Sequence, residues 1–131
     1  MSLSHHKVLI VDDERTISDT LALIFSNGGY ETRAAYSAEQ AIKIIAYWLP
    51  DLAIIDVILP QMNGIDLAIL LTAQCPACRL LLFSGQQLTV DLLADAVKRG
   101  YKFDILAKPT HPTDVLETAL NLLTANQVKT N

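Results

Sequence analysis

The sequence has no long apolar run, no excess of basic residues and too few cysteines for a disulfide framework. Each lack excludes something. A membrane-spanning helix needs roughly 18–20 consecutive apolar residues, and no segment reaches that length. The start, Met1-Ser2-Leu3-Ser4-His5-His6-Lys7, carries no secretory pattern, because its basic residue comes late and the apolar stretch Val8 to Val11 is too short for a signal core. With 10 Lys and Arg against 14 Asp and Glu the formal charge is −4. A surface that neutralises nucleic-acid phosphates needs clustered cations, so direct nucleic-acid binding is not expected. Two cysteines cannot staple a small secreted scaffold, which points to a reducing, cytoplasmic setting. Charged residues make up only 18% of the chain, too few for a chain kept unfolded by its own polarity. Low-complexity tracts, linkers and internal repeats are missing too, so the 131 residues make one domain.

What is present is an alternation of two kinds of segment. Short apolar runs occur at Val8–Val11, Leu52–Ile55, Leu80–Phe83 and Phe103–Ala107. Runs of this length without polar alternation suit strands buried on both faces, as in a parallel sheet. A weaker strand is expected over Glu31–Ala35, after the Asn27-Gly28-Gly29 break. Between the strands lie helical periodicities. Ile17, Leu21, Ile24 and Phe25 share a face, with Gly28 or Gly29 as the stop. Ser37-Ala38-Glu39-Gln40 reads as a capping box opening a helix through Ile42, Ile45 and Trp48, ended before Pro50. Further helices are predicted over Gly64–Gln74, Asp91–Arg99 and Pro112–Thr124, the last with proline in its first turn. Strict β-α alternation predicts an α/β fold, a doubly wound five-stranded parallel sheet with five helices and right-handed crossovers. Ligands of such sheets sit at the carboxyl ends of the strands, near a topological switch point.

The residues at those ends carry chemistry. Asp12 and Asp13 follow the first strand, Asp56 the third, Ser84 the fourth and Lys108 the fifth. Three carboxylates in one pocket repel one another unless a cation neutralises them. A hard divalent ion such as Mg²⁺, which takes one or two carboxylates and phosphate oxygens, is the natural occupant. The plainer alternative is that Asp12 and Asp13 only cap the first helix, that Ser84 is a turn residue and that Lys108 is a solvated lysine. Asp56 caps nothing obvious. A carboxylate can act as a nucleophile and accept a phosphoryl group, and a cation, an ammonium and a hydroxyl can share the charge on the transferring oxygens.

The order and spacing of four segments resemble the receiver domain of two-component response regulators, CheY-like and of flavodoxin-like fold. The segments are Val8–Glu14, Asp56 to Gly64 with Pro60, Met62 and Gly64 in register, Ser84-Gly85, and Lys108-Pro109. The resemblance implies that Asp56 is the phosphoacceptor and that Asp12 and Asp13 hold Mg²⁺ (or Mn²⁺). It also implies that the Ile58 backbone carbonyl completes the metal site, that Ser84 is the switch hydroxyl and that Lys108 contacts a phosphoryl oxygen. The receiver would occupy residues 7–125, with tails at 1–6 and 126–131. The phosphodonor would be a phosphohistidine on a sensor histidine kinase or a histidine phosphotransfer protein. Output would run through a downstream target protein, a domain outside this chain or a homodimer, and the domain would turn over no external substrate. One position departs from the pattern: the residue three before the lysine, usually Tyr or Phe, is Ile105. That puts the usual hydroxyl–aromatic coupling in doubt.

Two other readings stay open. A degenerate receiver would act as a phosphorylation-independent docking module. A small hydrolase or phosphatase using Asp56 would need a substrate-binding cap and a base that the sequence does not offer. Cys75-Pro76-Ala77-Cys78 has redox or half-zinc spacing but no second ligand pair, so a structural loop is expected. His5, His6 and His111 are read as solvated. Tyr47 and Trp48 are read as packing and rim residues, and Met62 as an apolar anchor beneath the site.

Overall fold

A computed structural model describes residues 6–85, 88–107 and 112–129. The elements run β1 (Lys7–Val11), α1 (Arg15–Asn27), β2 (Glu31–Ala35), α2 (Ala38–Ile45), β3 (Leu52–Asp56), α3 (Gly64–Gln74), β4 (Arg79–Ser84), α4 (Leu88–Lys98), β5 (Asp104–Ala107) and α5 (Pro112–Lys129). All pairings are parallel, and the strand order is β2-β1-β3-β4-β5. The expected doubly wound α/β fold is therefore the one found.

The apolar runs have a direct cause. Side chains alternate across a strand, and both faces of the three central strands are covered. Leu9 and Val11 of β1, Ala53 and Ile55 of β3 and Leu82 of β4 belong to one core, with side chains of α2 and α3. Val8 and Ile10, Leu52 and Ile54, and Leu81 and Phe83 point the other way, into a second core with Leu21 and Phe25 of α1 and Val115 and Ala119 of α5. A strand buried on both sides has no polar position to spare.

The edge strands behave differently. β5 was expected to be buried like the central strands, but Asp104, Ile105 and Ala107 are exposed and only Leu106 is half-buried. It pairs with β4 alone and lies at the sheet's margin, so apolar composition overstated its burial. β2, at the other margin, alternates as a half-covered strand does.

Helix ends also differ from expectation. α2 stops at Ile45 rather than running to Trp48. The Tyr47 and Trp48 amides both return to the Ile44 carbonyl, at 3.1 and 2.9 Å, in a tight turn. That turn carries the Trp48 indole to Glu31, where Nε1 donates to Oε2 over 2.8 Å. α4 begins at Leu88, three residues earlier than predicted, and α5 continues to Lys129 rather than stopping at Thr124. The Ser37 cap forms as read, its Oγ accepting from the Gln40 amide. The Gln40 side chain, however, reaches the Tyr36 amide at 2.9 Å rather than that of Ser37. α1 is closed by Gly28, whose amide meets the Ile24 and Phe25 carbonyls, and Gly29 turns the chain at a φ of 97°.

Candidate metal and phosphoryl site

The chain crosses from β2 to β3 on opposite sides of β1, so the topological switch lies between β1 and β3. Loops from adjacent strands diverge there and leave a crevice at the carboxyl ends. Val11 pairs with Ile55, and one residue further on Asp12 faces Asp56 across the crevice. The Asp12 amide continues the ladder by donating to the Ala35 carbonyl at 3.1 Å. This keeps Asp12 1% exposed, although it is charged. Asp56 is 7% exposed, while Asp13 is open to solvent. One carboxylate oxygen from each of Asp12, Asp13 and Asp56 lies within 4.8 Å of the others.

The alternative of simple helix capping does not hold for these acids. The N-cap of α1 is Glu14, without a side-chain cap bond. Asp12 instead accepts the Glu14 amide through Oδ1 at 3.0 Å, closing the turn that leads into the helix. Burying carboxylates side by side is unfavourable unless their charge is compensated. An all-oxygen set with two buried members and one exposed member suits a hard, partly hydrated divalent cation, so the residues present fit such an ion.

The segment after Asp56 is held from several directions. The Val57 amide donates to the Phe83 carbonyl at 3.0 Å, and the Ile58 amide reaches Asp56 Oδ1 at 3.3 Å. The Gly64 amide returns to the Val57 carbonyl at 2.8 Å. Asn63 caps α3, its Oδ1 accepting the Asp66 amide at 2.9 Å. Gln61 sits at a φ of 62°, a left-handed conformation that side chains other than Asn and Gly seldom adopt. Met62 packs against the core beneath, as expected. Sequence reasoning placed Gly64 as a helix start and, with Pro60 and Met62, in the spacing after Asp56, but it missed Gln61 and the Asn63 cap. The Asn-Gly pair was the available signal, since Asn caps well and Gly permits close approach.

Of the other candidates, Ser84 ends β4 half-buried and pairs with Ala107. Its neighbour Phe83 pairs with Asp56, so the hydroxyl belongs to the same sheet edge. Ile58 lies two residues beyond Asp56, its side chain partly exposed. Lys108 follows Ala107 directly but lies outside the described residues, as do Pro109, His5 and His111. Cys75 and Cys78 are buried at the other end of the sheet, where Cys75 caps α3 and Cys78 precedes β4. Burial, reinforced by neighbouring Cys75, pushes the Cys78 thiol well up. Among the described residues, no helix is long and apolar enough to cross a membrane.

Comparison with known proteins agrees with this geometry. Residues 8–120 match the model of the response regulator receiver domain. The chain superposes on a CheY-like receiver domain protein from Methanospirillum hungatei with a TM-score of 0.85 and 26% identity, covering 95% of this chain and 98% of that one. A response regulator structure from Chloroflexus aurantiacus is 32% identical at a TM-score of 0.76, covering 91% and 98% of the two chains. The DNA-binding response regulator MtrA of Mycolicibacterium smegmatis is 26% identical over 127 residues. That match takes in 97% of this chain but 54% of MtrA, so the chain spans about half the length of that relative.

Proposed function

This chain belongs to the response regulator receiver domain family, a signalling module and not a substrate-turnover enzyme, and from that premise we propose that it accepts a phosphoryl group on Asp56. The observation that carries the reading is the meeting of Asp12, Asp13 and Asp56 oxygens within 4.8 Å at the switch point of the sheet. Asp12 and Asp13 would hold Mg²⁺ (or Mn²⁺) together with Asp56 and the Ile58 carbonyl. The ion, when bound, supplies positive charge that offsets the carboxylates and the transferring group's oxygens.

The chain's own part is positioning. The Ile58 amide on Asp56 Oδ1 fixes the carboxylate's orientation, and the second oxygen is the nucleophile. It attacks phosphorus while the bond to the donor nitrogen breaks, so the phosphoryl group passes to Asp56 and the electron pair stays on the imidazole. Ser84 would donate its hydroxyl to one phosphoryl oxygen, and Lys108 its ammonium to another. The donor would be a phosphohistidine on a sensor histidine kinase or a histidine phosphotransfer protein in the cytoplasm.

Output through protein contact suits a domain with a net charge of −4. The recipient would be a downstream target, a second copy or an output domain beyond residues 7–125. MtrA, a DNA-binding regulator matched over only part of its length, supports an arrangement in which DNA contact belongs to another domain.

Incubation with acetyl phosphate and Mg²⁺, followed by intact mass measurement, tests the reading. A gain of about 80 Da that is lost in Asp56→Asn is expected for an aspartyl phosphate. No gain from any donor, together with no Mg²⁺ binding, would favour a docking module that works without phosphorylation.

A further inference from the structure

At the opposite end of the sheet, the segment Cys75-Pro76-Ala77-Cys78 is left unused by the phosphoryl site. The Cys78 amide donates to the Cys75 carbonyl at 2.9 Å, which makes the four residues a hydrogen-bonded turn. Such a turn holds its first and last Cα atoms within about 7 Å, and a disulfide needs roughly 4.4–6.8 Å. The two side chains belong to the same core; Cys75 Sγ lies 3.6 Å from the Pro50 carbonyl, and Cys78 Sγ 3.3 Å from that of Arg79. Both are free thiols.

Cys78 also has a route to solvent. It lines a surface cleft of about 190 Å³ together with Thr72, Arg79, Leu80, Lys102, Phe103 and Asp104. Arg79 and Lys102 place two cations in the lining against one acid, Asp104, so the cleft favours a small anionic reactant. Cys75 is not among its lining residues.

We propose that Cys78 and Cys75 form a dithiol that carboxylate-bearing low-molecular-weight disulfides oxidise through this cleft, with Cys78 attacking first and Cys75 resolving. Cys78 gives its proton to solvent base, and its sulfur attacks one sulfur of the oxidant. The oxidant's S–S bond breaks and one small thiolate leaves. Cys75, deprotonated in turn, attacks Cys78 Sγ in the mixed disulfide and expels the second small thiolate. The protein loses two electrons and two protons, and the oxidant takes them up as two thiols.

The step depends on pH. The groups around Cys78 are Cys75 at the end of α3, Asp51 before β3, Arg79 on β4, Lys102 before β5 and Asp104 at its start. Burial, with Cys75 and Asp51, holds the thiol protonated, so the reaction is slow at neutral pH and speeds up in alkali.

The test exposes the native protein to oxidised glutathione at pH 7.5 and 8.5 and follows intact mass and peptide maps. The expected product is about 2 Da lighter, with Cys75 linked to Cys78, and forms nearly tenfold faster at the higher pH. Cys75→Ser should stop at a glutathione adduct on Cys78, and Cys78→Ser should react far more slowly. Arg79→Gln with Lys102→Gln should slow oxidised glutathione several-fold but leave neutral hydroxyethyl disulfide unaffected. Either of two results overturns the proposal: an adduct forming first on Cys75, or a rate in the wild-type protein that rises with low urea in step with global unfolding. Peptide mapping of the wild-type protein decides the first of these even if a variant folds poorly.

Discussion

Gly64 lies directly on the main chain of Asp56. A Cβ added there would contact the Asp56 carbonyl oxygen, and would sit 2.8 Å from its carbonyl carbon and 2.9 Å from Ile55 Cγ2. Two of those atoms are backbone in the central strand of the sheet, so they cannot rotate away as a flexible side chain would. The start of α3 and the end of β3 are thereby pressed together, and the acid at the strand end takes its position from that contact.

Gly64→Ala should therefore be damaging even though alanine favours helices by up to about 1 kcal/mol over glycine. Forcing an atom against buried backbone costs about 1–3 kcal/mol, towards the upper end where nothing yields. A net loss near 2 kcal/mol corresponds to a Tm lower by roughly 5–10 °C at this chain length. Because the displaced atoms belong to Asp56, phosphorylation by acetyl phosphate should slow more than the loss of stability accounts for. Calorimetry and mass-resolved phosphorylation kinetics at a temperature where both proteins are folded measure the two effects.

The acidic cluster makes an opposite demand on stability. In the absence of a divalent ion, three carboxylates within 4.8 Å repel one another, two of them buried. Asp56→Asn keeps the shape and removes one charge, so in chelator it should melt higher than the wild-type protein, by about 1 kcal/mol of stability. Added Mg²⁺ should reverse the order. A ligand at a hundredfold its Kd stabilises by about 2.7 kcal/mol, and the variant should gain much less. Thermal melts in chelator and in graded Mg²⁺ test this, and Asp12→Asn should lose the Mg²⁺ response as well.

Both results bear on how far the sequence could be read. Asp12 and Asp56 were legible because each ends an apolar strand, where burial on two covered faces leaves the strand end as the first polar position, and Asp13 stands beside Asp12. Ser84 was legible for the same reason. Burial of β5 was misjudged because Ile105 and Leu106 look alike in composition. Which strand lies at the margin is a property of topology, and apolar content does not report it. The Trp48–Glu31 bond was equally invisible, since it joins an α2 end to the outer strand across 17 residues. The crowding of Gly64 against Asp56 depends on a crossing distance that no local pattern encodes.

Ile105 offers a test of how a signal leaves the site. It stands on the edge strand at 47% exposure, where the family pattern places an aromatic ring. Tyr101 and Phe103 are stacked nearby, with centroids 6.1 Å apart, and pack against the core that includes Ala96 of α4. Ile105→Ala should cost less than about 1 kcal/mol, as expected of a half-exposed position. Binding of beryllofluoride, a phosphoryl mimic, should shift amide resonances along α4 without any ring flip at position 105. An unaltered α4–β5 face would instead assign the output to another surface.

Three acids that are neutral at pH 7 are held protonated by the fold: Cys78 chiefly by burial, Tyr30 by burial, and Tyr36 chiefly by donating to Asp19 over 2.6 Å. A group whose folded pKa is raised contributes stability that is fully present below its unfolded pKa and is lost as pH rises through the folded one. The thiol's ordinary value is about 8.5 and the phenols' about 10. Stability should thus be flat with respect to these groups near neutrality, begin to fall above about pH 8.5 from Cys78, and fall further above about pH 10 from the tyrosines. The Tyr36–Asp19 bond lies at the solvent-facing surface, so solvent screens its share most and Tyr36→Phe should change the curve least. Cys78→Ser should remove the earlier loss and leave the later one. Chemical denaturation between pH 7 and 11, with tyrosinate absorbance followed in parallel, separates the two stages. A single fall confined to pH above 10 in both proteins would show that the buried thiol is not linked to folding.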